Sequence, residues 1–397
     1  MYRLPTRPSH AWTRAGACAL LLTVFGLSGR VAQAEPVQPQ SDAEVVETLP
    51  GVVGSRAEER KLRQQWASNP RDPVLAAALA RRYLDQARDQ GEPRFAGRAL
   101  AVLQAWPDVA TAPDDVLLMM ATVQQFLHDF DGSAANLERL VARRPGHAQA
   151  WLTLATIRRV QGRYVESDTA CRGLALIPTA TLYAQACDAE NQGLRGEFAK
   201  TRSAIRQLLT TPQLPAATQT WLLTTLAETE ARAGSTADAE KTFRAALRLH
   251  TDDYTSLSFA DFLMESGRHA DALGLLKRMA RTDAVVLRLA MAGARLKTAD
   301  AARDAQEMRD RVAQANLRPQ AKTLHAREQA MFALVVENQP ERALELARIN
   351  VGLQREPIDV LLLAQTARAA GQPGAVREAE QIRNEMRLKD ARLDALL

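Results

Sequence analysis

The chain has few of the residues, and none of the short motifs, on which most enzyme sites depend. Its 397 residues include three cysteines and six histidines, and neither an HExxH motif nor a Cys-x-x-Cys pair is present. A Gly-x-Ser-x-Gly elbow and a Walker-type glycine-rich loop are also missing. We therefore predict no catalytic residue, no metal site and no cofactor, and we expect that the chain is not an enzyme.

Long blocks of like charge are absent as well. The segment 1–34 contains four arginines and no acidic residue, so the remainder keeps 47 of the 51 basic residues against 46 acidic ones. The basic balance of the whole chain therefore belongs mostly to this N-terminal segment. A nearly neutral chain without a basic tract is poorly suited to nucleic acid or to an anionic membrane surface. We expect neither as a partner.

The same segment, 1–34, has the order of a secretory signal peptide. A basic stretch precedes the apolar run 15–27, and Ala32-Gln33-Ala34 supplies small residues at a cleavage site. The apolar run is shorter than the roughly 20 residues that span a bilayer. We expect cleavage after Ala34, export to the periplasm or beyond, and no transmembrane helix in the remainder; an uncleaved anchor is the alternative.

The rest of the sequence divides into four segments by composition. Residues 35–54 contain three prolines and few large apolar side chains, which predicts a flexible linker. A short polar helix is predicted within 55–71, and a helical repeat array over 72–374. Residues 375–397 are rich in Arg, Glu, Lys and Asp, which predicts a solvated helix that caps the array.

A regular recurrence of aromatic residues runs through the centre of the chain. Phe130, Tyr164 and Phe198 follow one another at equal intervals of about 34 residues, each shortly after a turn-like stretch. In a sequence without strand signals, such a period predicts helical hairpins that stack on one another. One hairpin cannot bury its own apolar face, so several must stack to form a continuous core.

The best unit, from Ala150 to Pro178, resembles the tetratricopeptide repeat family. The matching residues are Trp151, Leu154, Gly162, Tyr164 and Pro178. The departures from the family pattern are Ala155, Arg158, Cys171 and Leu174. The resemblance extends over most of the chain and implies an all-α fold, a right-handed superhelix (α-solenoid) of about nine hairpins. It also implies that the chain binds other proteins.

Two sets of residues occupy equivalent positions in three central repeats when these are aligned on their turn glycines. The first position, near the start of each first helix, holds the aromatic residues Tyr183, Trp221 and Tyr254. The second position, two helical turns later on the same helical face, holds the acidic residues Glu190, Glu228 and Asp261. If first helices line the concave side, these six residues form a groove in which aromatic rings anchor a peptide and acids bind its basic side chains. In the alternative interpretation, the rings pack between hairpins and the acids are solvated.

Two cysteines, Cys171 and Cys187, remain after the leader. An oxidising compartment permits a disulfide between them. Both fall in predicted helices, where buried free thiols are common, so free thiols are the expectation and a bridge is the alternative.

Together these features predict an exported, non-catalytic scaffold or assembly factor of a bacterial-type cell envelope, with a protein or peptide as partner. The alternative is a docking subunit of an envelope export or polysaccharide-secretion complex. An enzyme with a site between helices is the least favoured option, since no residue nominates such a site.

Overall fold

The computed structural model describes residues 55–90, 94–317, 323 and 325–397. The predicted signal peptide and linker lie outside these residues. Within the described part no residue belongs to a β-strand, and the chain forms α-helices joined by short turns. None of the helices in this part is long and apolar enough to cross a membrane.

Twenty α-helices are described. In chain order they are α1 Ser55–Ser68, α2 Pro73–Gln90, α3 Arg94–Leu103, α4 Asp114–Phe126, α5 Phe130–Arg143, α6 Ala148–Val160, α7 Tyr164–Ala175, α8 Thr181–Leu194, α9 Phe198–Leu209, α10 Ala216–Arg232, α11 Thr236–Leu249, α12 Asp253–Glu265, α13 His269–Leu276, α14 Asp283–Leu296, α15 Ala301–Ala315, α16 Ala326–Val335, α17 Pro340–Leu353, α18 Pro357–Ala369, α19 Pro373–Met386 and α20 Ala391–Asp394.

Helices α2 to α19 pack in consecutive pairs, from α2 with α3 to α18 with α19. These pairs are nine helical hairpins in the described part of the chain, as the repeat spacing predicts. Each hairpin also contacts the next one along the sequence. The fold is therefore an all-α solenoid of stacked hairpins, with helix α1 packed against its first member.

A buried hydrogen bond repeats with the same period as the aromatic residues. In three successive hairpins, a hydroxyl near the start of the second helix donates to the backbone carbonyl of an alanine in the first helix. The three bonds are Ser133 Oγ to Ala121 O at 2.6 Å, Ser167 Oγ to Ala155 O at 2.9 Å, and Thr201 Oγ1 to Ala189 O at 2.8 Å. Small residues at these positions let the two helices approach closely. In the next two hairpins the hydroxyl position is taken by the buried Ala239 and Ala272.

The two cysteines form a disulfide. The sulfur atoms of Cys171 in α7 and Cys187 in α8 lie 2.01 Å apart, and their Cα atoms are 5.7 Å apart. The expectation of free thiols is therefore wrong, and the alternative holds. The reason is that the helices of neighbouring hairpins pack closely enough here for the two Cβ atoms to face each other, which helix assignment alone does not reveal.

The C-terminal part of the chain returns to the turns of the central hairpins. The backbone N–H of Lys389 donates to Leu194 O at 2.9 Å, and that of Arg355 donates to Val160 O at 2.6 Å. Arg392 forms an ion pair with Glu265 at 2.5 Å. The solenoid therefore curls until its last residues lie against hairpins from much earlier in the sequence.

Two turn glycines make this return possible. Gly162 and Gly196 have φ values of +74° and +92°, which residues with a Cβ rarely adopt. A Cβ on Gly196 would lie 2.7 Å from Lys389 Cγ, and one on Gly162 would lie 3.0 Å from Arg355 Cβ. Each glycine therefore serves as the turn of a hairpin and as a point of close approach.

Residues 375–397 differ from the single solvated capping helix that their composition predicts. Helix α19 ends at Met386, and Arg387 has a φ of +57°, so the chain turns before α20. Leu388 and Leu393 are buried in the C-terminal core. Asp390 is buried as well and pairs with Arg392. The charged composition of the segment therefore does not reveal that part of it packs inward.

Candidate functional site

The three aromatic residues lie near the starts of α8, α10 and α12, the first helices of three successive hairpins. The rings of Tyr183 and Trp221 are neighbours, with centroids 6.0 Å apart and planes inclined by 30°. Tyr183 is 38% exposed and Tyr254 is 62% exposed. Trp221 is half-buried and packs against the apolar core between α8, α9 and α10. Two of the three aromatic side chains thus face solvent, and the third is shared between surface and core.

Tyr254 reaches across to the preceding hairpin. Its hydroxyl donates to Glu228 Oε1 at 2.9 Å, and Ser258 Oγ donates to the same oxygen at 3.1 Å. Burial raises the pKa of Glu228, while the guanidinium of Arg232, one turn further along α10, acts in the opposite direction. Glu228 therefore holds the Tyr254 ring in a fixed position between α10 and α12.

Glu190 and Asp261 are held by arginines of neighbouring first helices. Glu190 in α8 pairs with Arg159 in α6 at 2.9 Å. Asp261 in α12 accepts two hydrogen bonds from Arg288 in α14, at 2.7 and 2.6 Å. A planar guanidinium that binds both oxygens of a carboxylate fixes the angle between the two groups. These ion pairs therefore fasten one hairpin to the next.

The same type of ion pair between first helices recurs further along the solenoid. Arg327 in α16 donates to both oxygens of Asp359 in α18, at 2.6 and 2.8 Å. Asp359 is fully buried, and Asn350 and the backbone N–H of Glu356 also donate to it. Carboxylate and arginine pairs between successive first helices are thus a structural feature of this face.

The sequence pattern points to the acids but not to their arginine partners, Arg159 and Arg288. The sequence nevertheless contains a signal for them. When the repeats are aligned on their turns, each arginine lies within one helical turn of the position that is acidic in the neighbouring repeat. With these partners in place, the charges of Glu190 and Asp261 are largely satisfied within the fold. The side chains that this face offers to a partner are chiefly the rings of Tyr183 and Tyr254 and one side of Trp221.

No group of three or more His, Cys, Asp or Glu side chains in the described part of the chain is arranged to hold a metal ion. The polar groups on this face are committed to hydrogen bonds and ion pairs between helices. The arrangement can bind through aromatic surface and shape.

The fold and this face define an α-solenoid of the kind that tetratricopeptide repeat proteins form. No protein-family model matches the sequence, and no curated protein matches it either. Similar solved structures include a tetratricopeptide repeat protein from Parabacteroides merdae, with 14% identity over 59% of this chain and 91% of that one, at a TM-score of 0.48.

Two further similar structures are PilF of Pseudomonas aeruginosa and PilW, a type IV pilus biogenesis factor. PilF shares 13% identity over 50% of this chain and 90% of its own, at a TM-score of 0.36. PilW shares 14% identity over 71% of this chain and 97% of its own, at a TM-score of 0.35. At such values the likeness concerns the helical fold and does not extend to function.

Proposed function

We propose that this chain is a non-catalytic scaffold that binds an extended segment of a partner protein. The binding face consists of the starts of α8, α10 and α12. The observation that carries the proposal is the pair of neighbouring rings formed by the exposed Tyr183 and the half-buried Trp221, together with the exposed ring of Tyr254, which Glu228 fixes. Large, rigid aromatic side chains give much contact area for little loss of conformational entropy, and they dominate protein interfaces.

The three acids take a positioning role in this proposal. Glu190 and Asp261 hold their hairpins in register through Arg159 and Arg288, and Glu228 orients Tyr254. A rigid face loses less entropy on binding than a mobile one. All six predicted residues thus belong to the proposed site, with the rings in contact with the partner and the acids behind them.

The cellular setting of the proposal comes from the sequence. The leader at positions 1–34 favours an exported protein that works in the periplasm or outside the cell. There the chain would act as an assembly factor of the cell envelope. A docking subunit of an envelope export or polysaccharide-secretion complex is the alternative, and stable co-purification with exporter components distinguishes it. The near-neutral charge of the chain after its leader favours a protein over a nucleic acid as partner.

A selection from a random peptide display library tests the proposal. We expect enriched peptides that bind the wild-type protein and lose at least tenfold in affinity when Tyr183 and Tyr254 are both replaced by alanine. The matched control replaces Leu176 and Leu249, which are exposed apolar residues at the ends of second helices, by alanine. Peptides that bind both variants equally well, or that lose affinity only with the control, would refute the proposed face.

A further inference from the structure

A large cavity lies near the last residues of the chain, between α12, α14, α16 and α18. Its volume is about 630 Å³, which is within the range of small-molecule sites in proteins. Its apolar lining consists chiefly of Met264, Met291, Met331, Leu334, Ile358 and Leu362. Methionine side chains are flexible and polarisable, so they adapt to a ligand without a fixed shape.

The chain's own C-terminal segment completes one wall of this cavity. Leu396 lines it, and the backbone carbonyl of Leu396 accepts a hydrogen bond from Arg368 Nε at 2.6 Å. The cavity is therefore a product of the return of the chain onto its central hairpins, and it is absent from any single hairpin.

The charged residues that line the cavity leave an excess of positive charge. Asp261 is neutralised by Arg288, and Glu265 is neutralised by Arg392. Two further lining residues, Arg295 and Arg368, are exposed and form no ion pair with an acid among the described residues. A ligand that complements this cavity carries a negative charge at one end and an apolar body.

His269 also lines the cavity. Its Nδ1 is buried and has no hydrogen-bond partner within the described part of the structure. Burial, and then the neighbouring Arg295, lower the pKa of His269, which favours the neutral form of its ring. A neutral imidazole can donate one hydrogen bond to a ligand carboxylate.

The lining favours an alkyl chain over a peptide. A peptide inside the cavity would need partners for each backbone N–H and C=O. Among the described residues that line the cavity, the further polar side chains are the amides of Asn338 and Gln365. An alkyl chain has no polar groups to satisfy, and it gains from every methylene removed from water.

We propose that this cavity binds a single-chain anionic amphiphile of the fatty-acid class. The alkyl chain lies among the methionines and leucines, and the carboxylate lies at Arg295 and Arg368. This site shares Asp261 with the aromatic face proposed above, where that carboxylate pairs with Arg288, but its charged contacts with the ligand are on α14 and α18 and none of the three rings lines it. Loss of one activity is therefore distinguishable from loss of the other.

The test is a calorimetric titration of the full chain, freed of bound lipid, with dodecanoate. We expect one saturable site per chain. The double variant Arg295→Gln/Arg368→Gln should bind dodecanoate about 10- to 100-fold more weakly, since it loses charge-assisted hydrogen bonds. The matched control is Arg248→Gln/Arg278→Gln, which removes two exposed arginines outside the cavity and should leave binding unchanged.

Two further arms separate the alkyl chain from the charge. Ala369→Trp adds bulk at an exposed lining position and should block binding while every charge remains. Dodecyl alcohol should bind the wild type more weakly than dodecanoate, and equally weakly to the double arginine variant. The proposal is overturned if dodecanoate shows no saturable binding, or if the two double variants bind it equally well. It is also overturned if a short leucine-rich peptide binds at this cavity and neither amphiphile displaces it.

Discussion

The hydroxyl of Tyr254 donates a hydrogen bond to Glu228 Oε1 at 2.9 Å, across the gap between two hairpins. Tyr254 lies near the start of α12, and Glu228 lies near the end of α10. The bond fixes an exposed ring on a half-buried carboxylate. One pair of side chains therefore belongs both to the proposed binding face and to the packing between hairpins. The proposed binding face depends on such pairs, because a ring that swings freely loses entropy when a partner orders it.

Because the pKa of Glu228 is raised, we predict that this carboxyl makes the free energy of unfolding vary with pH. Because burial raises its pKa in the folded state, the folded protein holds this proton more tightly than the unfolded chain does. The protonated carboxyl makes its full contribution to the free energy of unfolding below the ordinary pKa of about 4.3 for an unperturbed Glu. That contribution is lost as the pH rises through the higher pKa of the folded state. Glu228→Gln should remove this loss, as measured by urea denaturation from pH 4 to 8.

The control for this experiment is Glu345→Gln, which changes an exposed carboxyl on α17. Its free energy of unfolding should follow the wild-type pH profile. If the wild type and Glu228→Gln have parallel profiles, the carboxyl of Glu228 is not held in an environment that favours its protonated form.

Loss of the disulfide should lower stability without abolishing the fold. Cys171 and Cys187 are 16 residues apart, and a closed loop of that length stabilises by about 3 kcal/mol, chiefly through the unfolded state. We expect Cys171→Ala/Cys187→Ala to lower the free energy of unfolding by about 2–4 kcal/mol in denaturant titration. Reductant should lower the stability of the wild type to a similar extent and leave the double variant unaffected; an effect of reductant on both would contradict the bridge.

The buried hydroxyl of Thr201 should contribute measurably to stability. Thr201→Val keeps the shape of the side chain and removes the hydrogen bond to Ala189 O. We expect a loss of about 0.5–1.5 kcal/mol in the free energy of unfolding. Thr210→Val removes an exposed hydroxyl at the end of the same helix and should change stability by less than about 0.5 kcal/mol. Equal effects at the two positions would contradict the assignment.

The return of the C-terminal segment predicts that a residue near the end of the chain is part of the core. Leu393 is fully buried, so Leu393→Ala should lower the free energy of unfolding by about 2–5 kcal/mol. The matched control, Leu317→Ala, removes a leucine that is 85% exposed and should be nearly neutral. A neutral result at Leu393 would mean that the C-terminal segment does not pack against the solenoid.

The local part of this fold could be predicted from the sequence. The spacing of Phe130, Tyr164 and Phe198 indicates the hairpins, because an aromatic residue after each turn fills the gap to the next helix. The turn at Gly162 could also be predicted, since a glycine after a helix favours positive φ. These features depend on residues within one or two repeats, and that information lies in short stretches of sequence.

The long-range part could not be predicted in the same way. The contact between Lys389 and Leu194 depends on the pitch of the solenoid, which accumulates from small rotations over several hairpins. The ion pair of Asp261 with Arg288 depends on which side of each helix faces its neighbour after that rotation. Prediction of the disulfide would have required the distance between α7 and α8, which the helical pattern alone does not supply. The candidate site was therefore located by residue type, while the roles of its acids followed only from three-dimensional contacts.

Hydrogen–deuterium exchange of the full chain, with and without a peptide taken from the display selection, shows whether α8, α10 and α12 form the binding face. We expect the bound peptide to slow exchange at the starts of α8, α10 and α12, around Tyr183, Trp221 and Tyr254. Slower exchange confined to second helices such as α9 and α11, with no change at those three positions, would contradict this expectation.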